Sequence, residues 1–420
     1  MLYFSHDIKN EDKMEEKKQK YEQLKGIYYS DREHYESFYF NRYNDSDTVR
    51  LGINTKGYGA FFVQCPEIFE LVAKIYEKNM SIEKLSAEIP HQAINQFKID
   101  SLIDEIVLTN EIEGINSTRK EIGEVLDKLS QDAVSGKKLR FEGLINKYFL
   151  LTSEVPLNSC EDIRELYNSL VLDEVVMEDP NNAPDGRLFR KDRAYVLGPL
   201  QETIHTGVFP EESIIEELTK SLDVLHNNDL NLLIRTALFH YLFGYIHPFY
   251  DGNGRTSRFI SSYVLANYLN PLIGYRISYT IKMENASYYK AFKDCNNEKN
   301  RGDLTPFVIT FLWILKLAFD NLEKALEKRK NLYLHYLEFA EHKFRPVLAE
   351  KDYEMLTLLL QGALFSKDGA TKSMLKSLSD IKSNQTLEGR LGKIRTLRLL
   401  EENTIGKLKY YKIDLKKLES

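Results

Sequence analysis

Cysteine is scarce: three residues in 420, at Cys65, Cys160 and Cys295. Thiols so few and so scattered form neither a disulfide framework nor a cysteine-rich zinc site, which points to a reducing compartment. The first twenty residues, MLYFSHDIKNEDKMEEKKQK, hold no apolar stretch of the kind a secretion signal needs. No run comes near the ~18–20 apolar residues that cross a bilayer. These absences predict a soluble, cytoplasmic protein with no membrane partner. A strong charge of one sign is also missing: 57 Lys and Arg stand against 63 Asp and Glu, a net charge of −6. That excludes a protein coated in nucleic acid, although it leaves room for a local basic patch. There is no internal repeat at a period of 20–50 residues.

What is present is material for a core. Hydrophobic residues make up 43% of the chain, and its length suits two or three domains. The segment 9–25 mixes Lys with Glu and Asp and reads as an exposed helix or a loose arm. Residues 51–65 suit a short strand or hairpin, and 66–76 show apolar residues at helical spacing. From Ala93 an apolar stripe (Ile94, Phe97, Leu102, Ile103, Ile106) predicts a helix ending at Gly114, since glycine favours the left-handed turn that stops a helix. Further helices are expected at 117–132, 139–152, 163–176, 211–226 and 230–246, the last capped by Asp229. Two short strands, 195–198 and 203–207, read as a hairpin. Helices follow to about Tyr268, then at 287–297 and 304–330, with another beyond Lys330.

The chemistry concentrates in His247-Pro248-Phe249-Tyr250-Asp251-Gly252-Asn253-Gly254-Arg255-Thr256-Ser257-Arg258. Glycines let a ligand approach the main chain, and successive N–H groups in such a turn make an anion nest. The helix beginning at about Gly254 adds the positive end of its dipole. Arg255 and Arg258, three apart, can clamp a polyphosphate. Asp251 can hold Mg²⁺, which takes one or two carboxylates together with nucleotide phosphates. His247 titrates near neutrality and is the natural general base for a hydroxyl. The residues by themselves predict a phosphoryl- or nucleotidyl-transfer site for a Mg-nucleotide.

Glu113 lies just before Gly114, at the negative end of its predicted helix. That is the wrong end for a carboxylate, so a partner elsewhere is expected.

The loop resembles the Fic (filamentation induced by cyclic AMP) signature, His-x-Phe-x-Asp/Glu-Gly-Asn-Gly-Arg-x-x-Arg, at every fixed position. The resemblance spans about residues 90–330. It implies a mainly α fold, a Fic-type helical core with a small β-hairpin flap, and transfer of AMP from ATP to a Ser, Thr or Tyr hydroxyl of a target protein. By that resemblance His247 is the catalytic base, Asp251 the Mg²⁺ holder and Phe249 the anchor of the loop. Gly252, Asn253, Gly254, Arg255, Thr256, Ser257 and Arg258 surround the phosphates, and Tyr288 and Asn296 surround the nucleoside. Gly186 to Arg190 and the strand ending at Ile204, His205, Thr206 and Gly207 resemble the flap that pairs with a target segment. Thr109-x-x-x-Glu113-Gly114 resembles the family's inhibitory motif, which implies that Glu113 pairs with Arg258 and holds the enzyme off. Some relatives use the same glutamate to remove AMP, and relatives often form homodimers. Transfer of phosphate or phosphocholine is the alternative chemistry.

The tail differs in character. Helices expected at 353–365, 371–378 and 386–400, then an alternating strand at 407–413, follow the order of a winged helix-turn-helix. From Lys367 onward thirteen Lys and Arg face seven Asp and Glu. That basic balance suits contact with DNA phosphates, whereas a protein-docking role is the competing expectation. The expected organisation is therefore a region 1–90 packing on the core, a Fic domain at 91–335 with its inhibitory helix near 100–114, and a winged-helix-like domain at 345–420. A nucleotide-sensing DNA-binding regulator is the alternative function.

Overall fold

The structure, a computed structural model, describes residues 21–130, 139–197, 203–379 and 381–419. The arm expected at 9–25 lies mostly outside these residues. Two short helices, α1 (Leu24–Ser30) and α2 (Tyr35–Asn44), precede the hairpin β1 (Thr48–Thr55) and β2 (Tyr58–Val63). This amino-terminal layer is fastened to the body by polar contacts. Tyr21 donates its hydroxyl to buried Asp303 at 2.6 Å, and Tyr35 donates to the Lys299 carbonyl at 2.6 Å.

Helices then dominate. α3 (Pro66–Ala87) starts with proline in its first turn, where the missing N–H costs nothing. It is longer than its first apolar repeats suggest. α4 (His91–Ile112) is the helix expected to end at Gly114, and Gly114 has φ +75°. The sequence shows an amphipathic apolar stripe along α4. The structure buries Gln96, Asp100, Ser101, Glu105, Thr109 and Asn110 as well as the apolar stripe. The polar face is covered because other parts of the chain supply partners for it, as described below.

α5 (Arg119–Ser130), α6 (Glu142–Phe149) and α7 (Cys160–Tyr167) follow. Ser159 and Asp162 form a reciprocal capping box at the start of α7. A five-residue π turn at Asn168–Leu172 joins α7 to α8 (Asp173–Glu178), so the side chains after it are turned relative to a plain helix. The hairpin β3 (Tyr195–Leu197) and β4 (Thr203–Thr206) precedes α9 (Glu211–His226) and α10 (Leu232–Ile246). The cap of α10 is Asn231, which accepts from the Leu233 N–H at 2.9 Å, and not Asp229. Asn231 stands directly before the first helical turn, within reach of its free N–H groups, whereas Asp229 lies two residues too early.

α11 (Asn253–Tyr268), α12 (Ile277–Met283) and α13 (Asn285–Cys295) lead to α14 (Thr305–Phe344). α14 is one helix of 40 residues where two were expected, with no break at Lys330. At ~1.5 Å per residue it is a spine of about 60 Å. By length and composition it could cross a membrane, which corrects the expectation that no stretch comes near that limit. Yet 61% of its apolar window is buried within the fold, as in the core helix of a globular protein. Its apolar faces pack against α3, α10 and α13.

The carboxyl-terminal part holds α15 (Glu350–Phe365), β5 (Ala370–Thr371), α16 (Lys372–Ser379), α17 (Asn384–Thr396), the hairpin β6 (Leu400–Ile405) and β7 (Leu408–Ile413), and α18 (Leu415–Glu419). The sheet order is β5-β7-β6, with α15 packed on β7, α16 on β5 and β7, and α17 on β6. Leu400, expected at the end of a helix, opens β6 instead. The buried side chains of this part, among them Leu359, Leu375, Leu391 and Ile413, are continuous with the core formed by α3 and α14. A second core, built from α4 to α11, surrounds the signature loop.

Candidate active site

α10 is apolar nearly all round, and its last residue, Ile246, is fully buried. His247 ends the helix in the left-handed conformation, φ 54°, an uncommon place for a non-glycine residue. It is held there from below. The Arg190 guanidinium is fully buried and donates to four backbone carbonyls: His247 at 2.9 Å, Asp192 at 2.6 Å, Val208 at 2.8 Å and Ile246 at 3.4 Å. The flap's foot closes on the same spot. A Cβ on Gly207 would lie 3.0 Å from the His247 Cβ and 2.4 Å from the Arg190 guanidinium, so only glycine fits. His205 bonds the Tyr245 carbonyl through Nε2 at 2.6 Å, and β4 pairs with β3. The Ile204 backbone belongs to β4. Enclosure, with the neighbouring His205 and Arg190, pushes the His247 pKa down to about 4. The imidazole is therefore a free base at neutral pH.

Phe249 is fully buried and stacks on Tyr167 at 3.6 Å between centroids. Asn253 is also buried, and both ends of its amide are committed to the loop. It accepts from the Phe249 N–H at 3.0 Å and donates to the Phe249 carbonyl at 2.8 Å. The loop is thus closed by its own asparagine, and what Asn253 can offer a phosphate is its backbone N–H. Thr256 and Ser257 donate their hydroxyls to the Gly252 and Gly254 carbonyls. Gly252 has φ +79° and opens α11. Asp251 accepts from the Gly252 N–H and keeps its carboxylate partly exposed.

Glu113 lies on this cradle. Its carboxylate is 2.7 Å from Arg258 Nη1, and a Cβ on Gly254 would meet its oxygen at 2.1 Å. The carboxylate at the unfavourable end of α4 is at the favourable end of α11, where backbone N–H groups and the dipole attract an anion. Arg258 is 1% exposed and receives two more bonds from the same helix. It donates to the Thr109 hydroxyl at 2.8 Å and to the Thr109 carbonyl at 2.9 Å. Threonine and glutamate four residues apart thus grip one guanidinium from one helical face.

Tyr288 is buried beside Arg258 and shares a 2.7 Å hydrogen bond with His240. His240 also bonds Ser261 on α11, and burial beside Arg258 drives its pKa down to about 3. Asn296 caps the end of α13. Its side-chain carbonyl accepts from Tyr241 at 2.7 Å.

Two residues of the site carry no signal in the sequence. Tyr167 stacks on Phe249 and donates to the Asp251 carbonyl at 3.2 Å, and Glu174 pairs with Arg255 at 3.0 Å. Both sit on an ordinary-looking amphipathic helix.

The donor set fits a Mg-nucleotide. Buried Arg255 has two N–H positions, Nε and Nη2, with no hydrogen-bond partner among the described residues. Orphaned buried donors at the mouth of an anion nest call for an acceptor. No cluster of three or more metal-ligating side chains exists among the described residues, so a cation here would depend on Asp251, phosphate oxygens and water.

Residues 158–265 match the Fic/DOC family model. Curated relatives include the protein adenylyltransferase Fic of Drosophila melanogaster, 30% identical over 243 residues, which are 56% of this chain and 43% of the relative. The Drosophila virilis protein of the same description is 30% identical over 247 residues, covering 56% and 44%. The chain thus spans less than half the length of the curated relatives it matches. Among solved structures, a Fic family protein of Desulfovibrio desulfuricans G20 aligns with TM-score 0.49 and 19% identity, covering 84% of this chain and 97% of that one. Fic-1 of C. elegans aligns with TM-score 0.40 and 21% identity, covering 61% and 74%.

Proposed function

Because this chain belongs to the Fic/DOC family through residues 158–265, we propose that it is a self-inhibited protein adenylyltransferase, moving AMP from ATP to a hydroxyl of a target protein. The observation that carries this reading is the Glu113 carboxylate lying on the Gly254 cradle while paired with Arg258. A site that must be plugged with its own anion is a site for anions.

His247 takes the proton of the acceptor hydroxyl, whose oxygen forms a bond to the α-phosphorus. The bond from that phosphorus to the bridging oxygen breaks and pyrophosphate leaves. The N–H groups of the 252–254 turn and the Arg255 and Arg258 guanidinia take up charge on the departing phosphates. Mg²⁺, when bound at Asp251, supplies further neutralisation of the phosphate oxygens. The β3–β4 hairpin offers its edge to a target strand, with Gly207 bringing that edge against His247. Glu113 opposes all of this by holding Arg258 and occupying the cradle.

The test is labelling with α-³²P-ATP and Mg²⁺. Glu113→Gly should label itself or a lysate protein strongly, wild type weakly, and Glu113→Gly/His247→Ala not at all. No label from Glu113→Gly sinks the proposal, and label from the γ-phosphate alone would replace it with phosphoryl transfer.

A DNA-binding role remains the second reading, supported by the exposed Asn384, Gln385, Thr386 and Arg398 at α17 and the turn after it. Against it, Lys393 and Arg395 are engaged by Asp352 and Glu402, and the tip of the β6–β7 hairpin is spent on α5, where the Lys407 N–H donates to Glu124 at 2.9 Å. A gel shift with the full chain that weakens steeply with salt would favour it.

A further inference from the structure

The signature loop leans on a wall formed by α7, the π turn and α8. Tyr167 supports Phe249 and the Asp251 carbonyl. A Cβ on Gly252 would meet Val171 at 2.9 Å, Tyr167 at 3.1 Å and Val175 at 3.5 Å. Glu174 completes the wall with a carboxylate directed at the loop. Its Oε2 is 3.0 Å from Arg255 Nη1, with Glu174 6% and Arg255 1% exposed. Burial pushes the Glu174 carboxyl up to about 7, against the attraction of Arg255 and Arg140. The Phe141 backbone also favours the charged form of Glu174, less than Arg255 and Arg140 do.

Only one corner of the Arg255 fork is used. Nε and Nη2 are buried without a hydrogen-bond partner among the described residues, and Nη2 makes only a long ion pair, 3.9 Å, with the Asp251 carboxylate, too far for a hydrogen bond. A guanidinium free to turn would close that gap and pair with Asp251, its neighbour four residues away on the same loop. That would remove at once a phosphate donor and the carboxylate expected to receive a cation. We infer that Glu174 is a positioning residue of the nucleotide site, tethering Nη1 of Arg255 so that Nε and Nη2 stay directed to a phosphate and Asp251 stays free. The ligand is the polyphosphate of a nucleotide, and the inference rests on the nucleotide reading of the site given above. A planar fork is needed for this division of labour; an ammonium would satisfy Glu174 and offer nothing in a fixed second direction.

The test is calorimetric binding of MgATP and, separately, of adenosine to the full chain carrying Glu113→Gly. Glu174→Gln keeps the volume and one acceptor but loses the charge. It should weaken MgATP about tenfold, the scale of a hydrogen bond to a charged group. Arg255→Lys should weaken it by a similar factor. The double variant should lose about tenfold and not a hundredfold, because the two residues act through one guanidinium. Adenosine, which carries no phosphate, should bind all variants alike. Glu174→Asp should fall between Glu174→Gln and the parent. Equal losses of MgATP and adenosine would show a general distortion of the site and overturn the assignment. So would unchanged MgATP binding in Glu174→Gln, or losses that multiply in the double variant. If the Glu113→Gly parent binds no MgATP, the nucleotide reading fails and takes this assignment with it. If the parent binds and Glu174→Gln binds equally, the assignment alone fails.

Discussion

His247 owes its readiness to being enclosed. Its pKa, lowered to about 4, means that acidification must reach about two and a half units below an ordinary histidine before the base is lost. The base form is the depleted one at low pH, so activity should be retained above the folded pKa and fall through it. For Glu113→Gly at saturating MgATP, kcat should hold from pH 8 down to about 5 and drop near pH 4. Glu113 itself raises the His247 pKa, so its removal moves the limb lower still. A limb at about 6.5 would show that the imidazole is open to water. At the same scale, Thr109 shares the grip on Arg258 with Glu113. Thr109→Val removes the bond from Nε and leaves the one to the backbone carbonyl. Losing about 1 kcal/mol of the inhibited state should raise basal labelling roughly fivefold, well short of the effect of Glu113→Gly.

At the scale of elements, two struts carry the loop, Arg190 and the α7–α8 wall. Arg190 is a buried cation with no carboxylate partner among the described residues; its acceptors are carbonyls, and burial lowers its pKa. Arg190→Lys cannot serve the four carbonyls that the guanidinium reaches and should cost about 2 kcal/mol, read as a lowered urea midpoint, together with reduced labelling in the Glu113→Gly form. The loop was legible because its twelve residues are contiguous and each type has a fixed chemical use. Glu113 was legible because a carboxylate at a helix C-terminus is out of place. Arg190 was read as part of a flap, and its use as the support of His247 was not visible, since its acceptor lies 57 residues away and is a backbone atom. Tyr167 and Glu174 were invisible for a further reason. Their partners are 84 and 81 residues distant, and the π turn between them shifts the helical face that a period of 3.6 would assign. Periodicity placed α4 well but misjudged its surroundings, because burial of a polar face depends on charges that arrive from elsewhere in the chain.

Those charges come from α5 and the carboxyl-terminal part, and they make α4 a member of both halves of the molecule. Arg119 bridges Asp100 at 2.6 Å, Asp104, and Asp368 at 3.2 Å. Lys367 pairs with Asp104 at 2.6 Å, and its N–H donates to Asp100 at 3.1 Å. Gln96 donates to the Leu358 carbonyl at 3.3 Å, and Asp127 accepts from Thr371 and Ser373. The helix that ends in Thr109 and Glu113 is thus bolted along its length to the carboxyl-terminal part. Arg119→Met removes the guanidinium that bridges these carboxylates and leaves Asp100 buried beside Asp104. Breaking a buried ion pair from one side costs ~3–5 kcal/mol, so the urea midpoint should fall markedly at pH 7. The sign with pH follows from Asp100, whose pKa is raised, chiefly by burial. A carboxyl with a folded pKa above its unfolded value penalises folding where it is ionised in both states, and the penalty is relieved as pH falls and the folded form takes a proton. Removing Arg119, whose charge lowers the Asp100 pKa, widens that window upward. The gap between Arg119→Met and wild type should therefore narrow between pH 7 and pH 5. Hydrogen exchange should quicken first in α4, and basal labelling should rise as the grip on Arg258 loosens. A gap that stays constant with pH would place the cost in lost packing of the Arg119 stem and not in the stranded carboxylate.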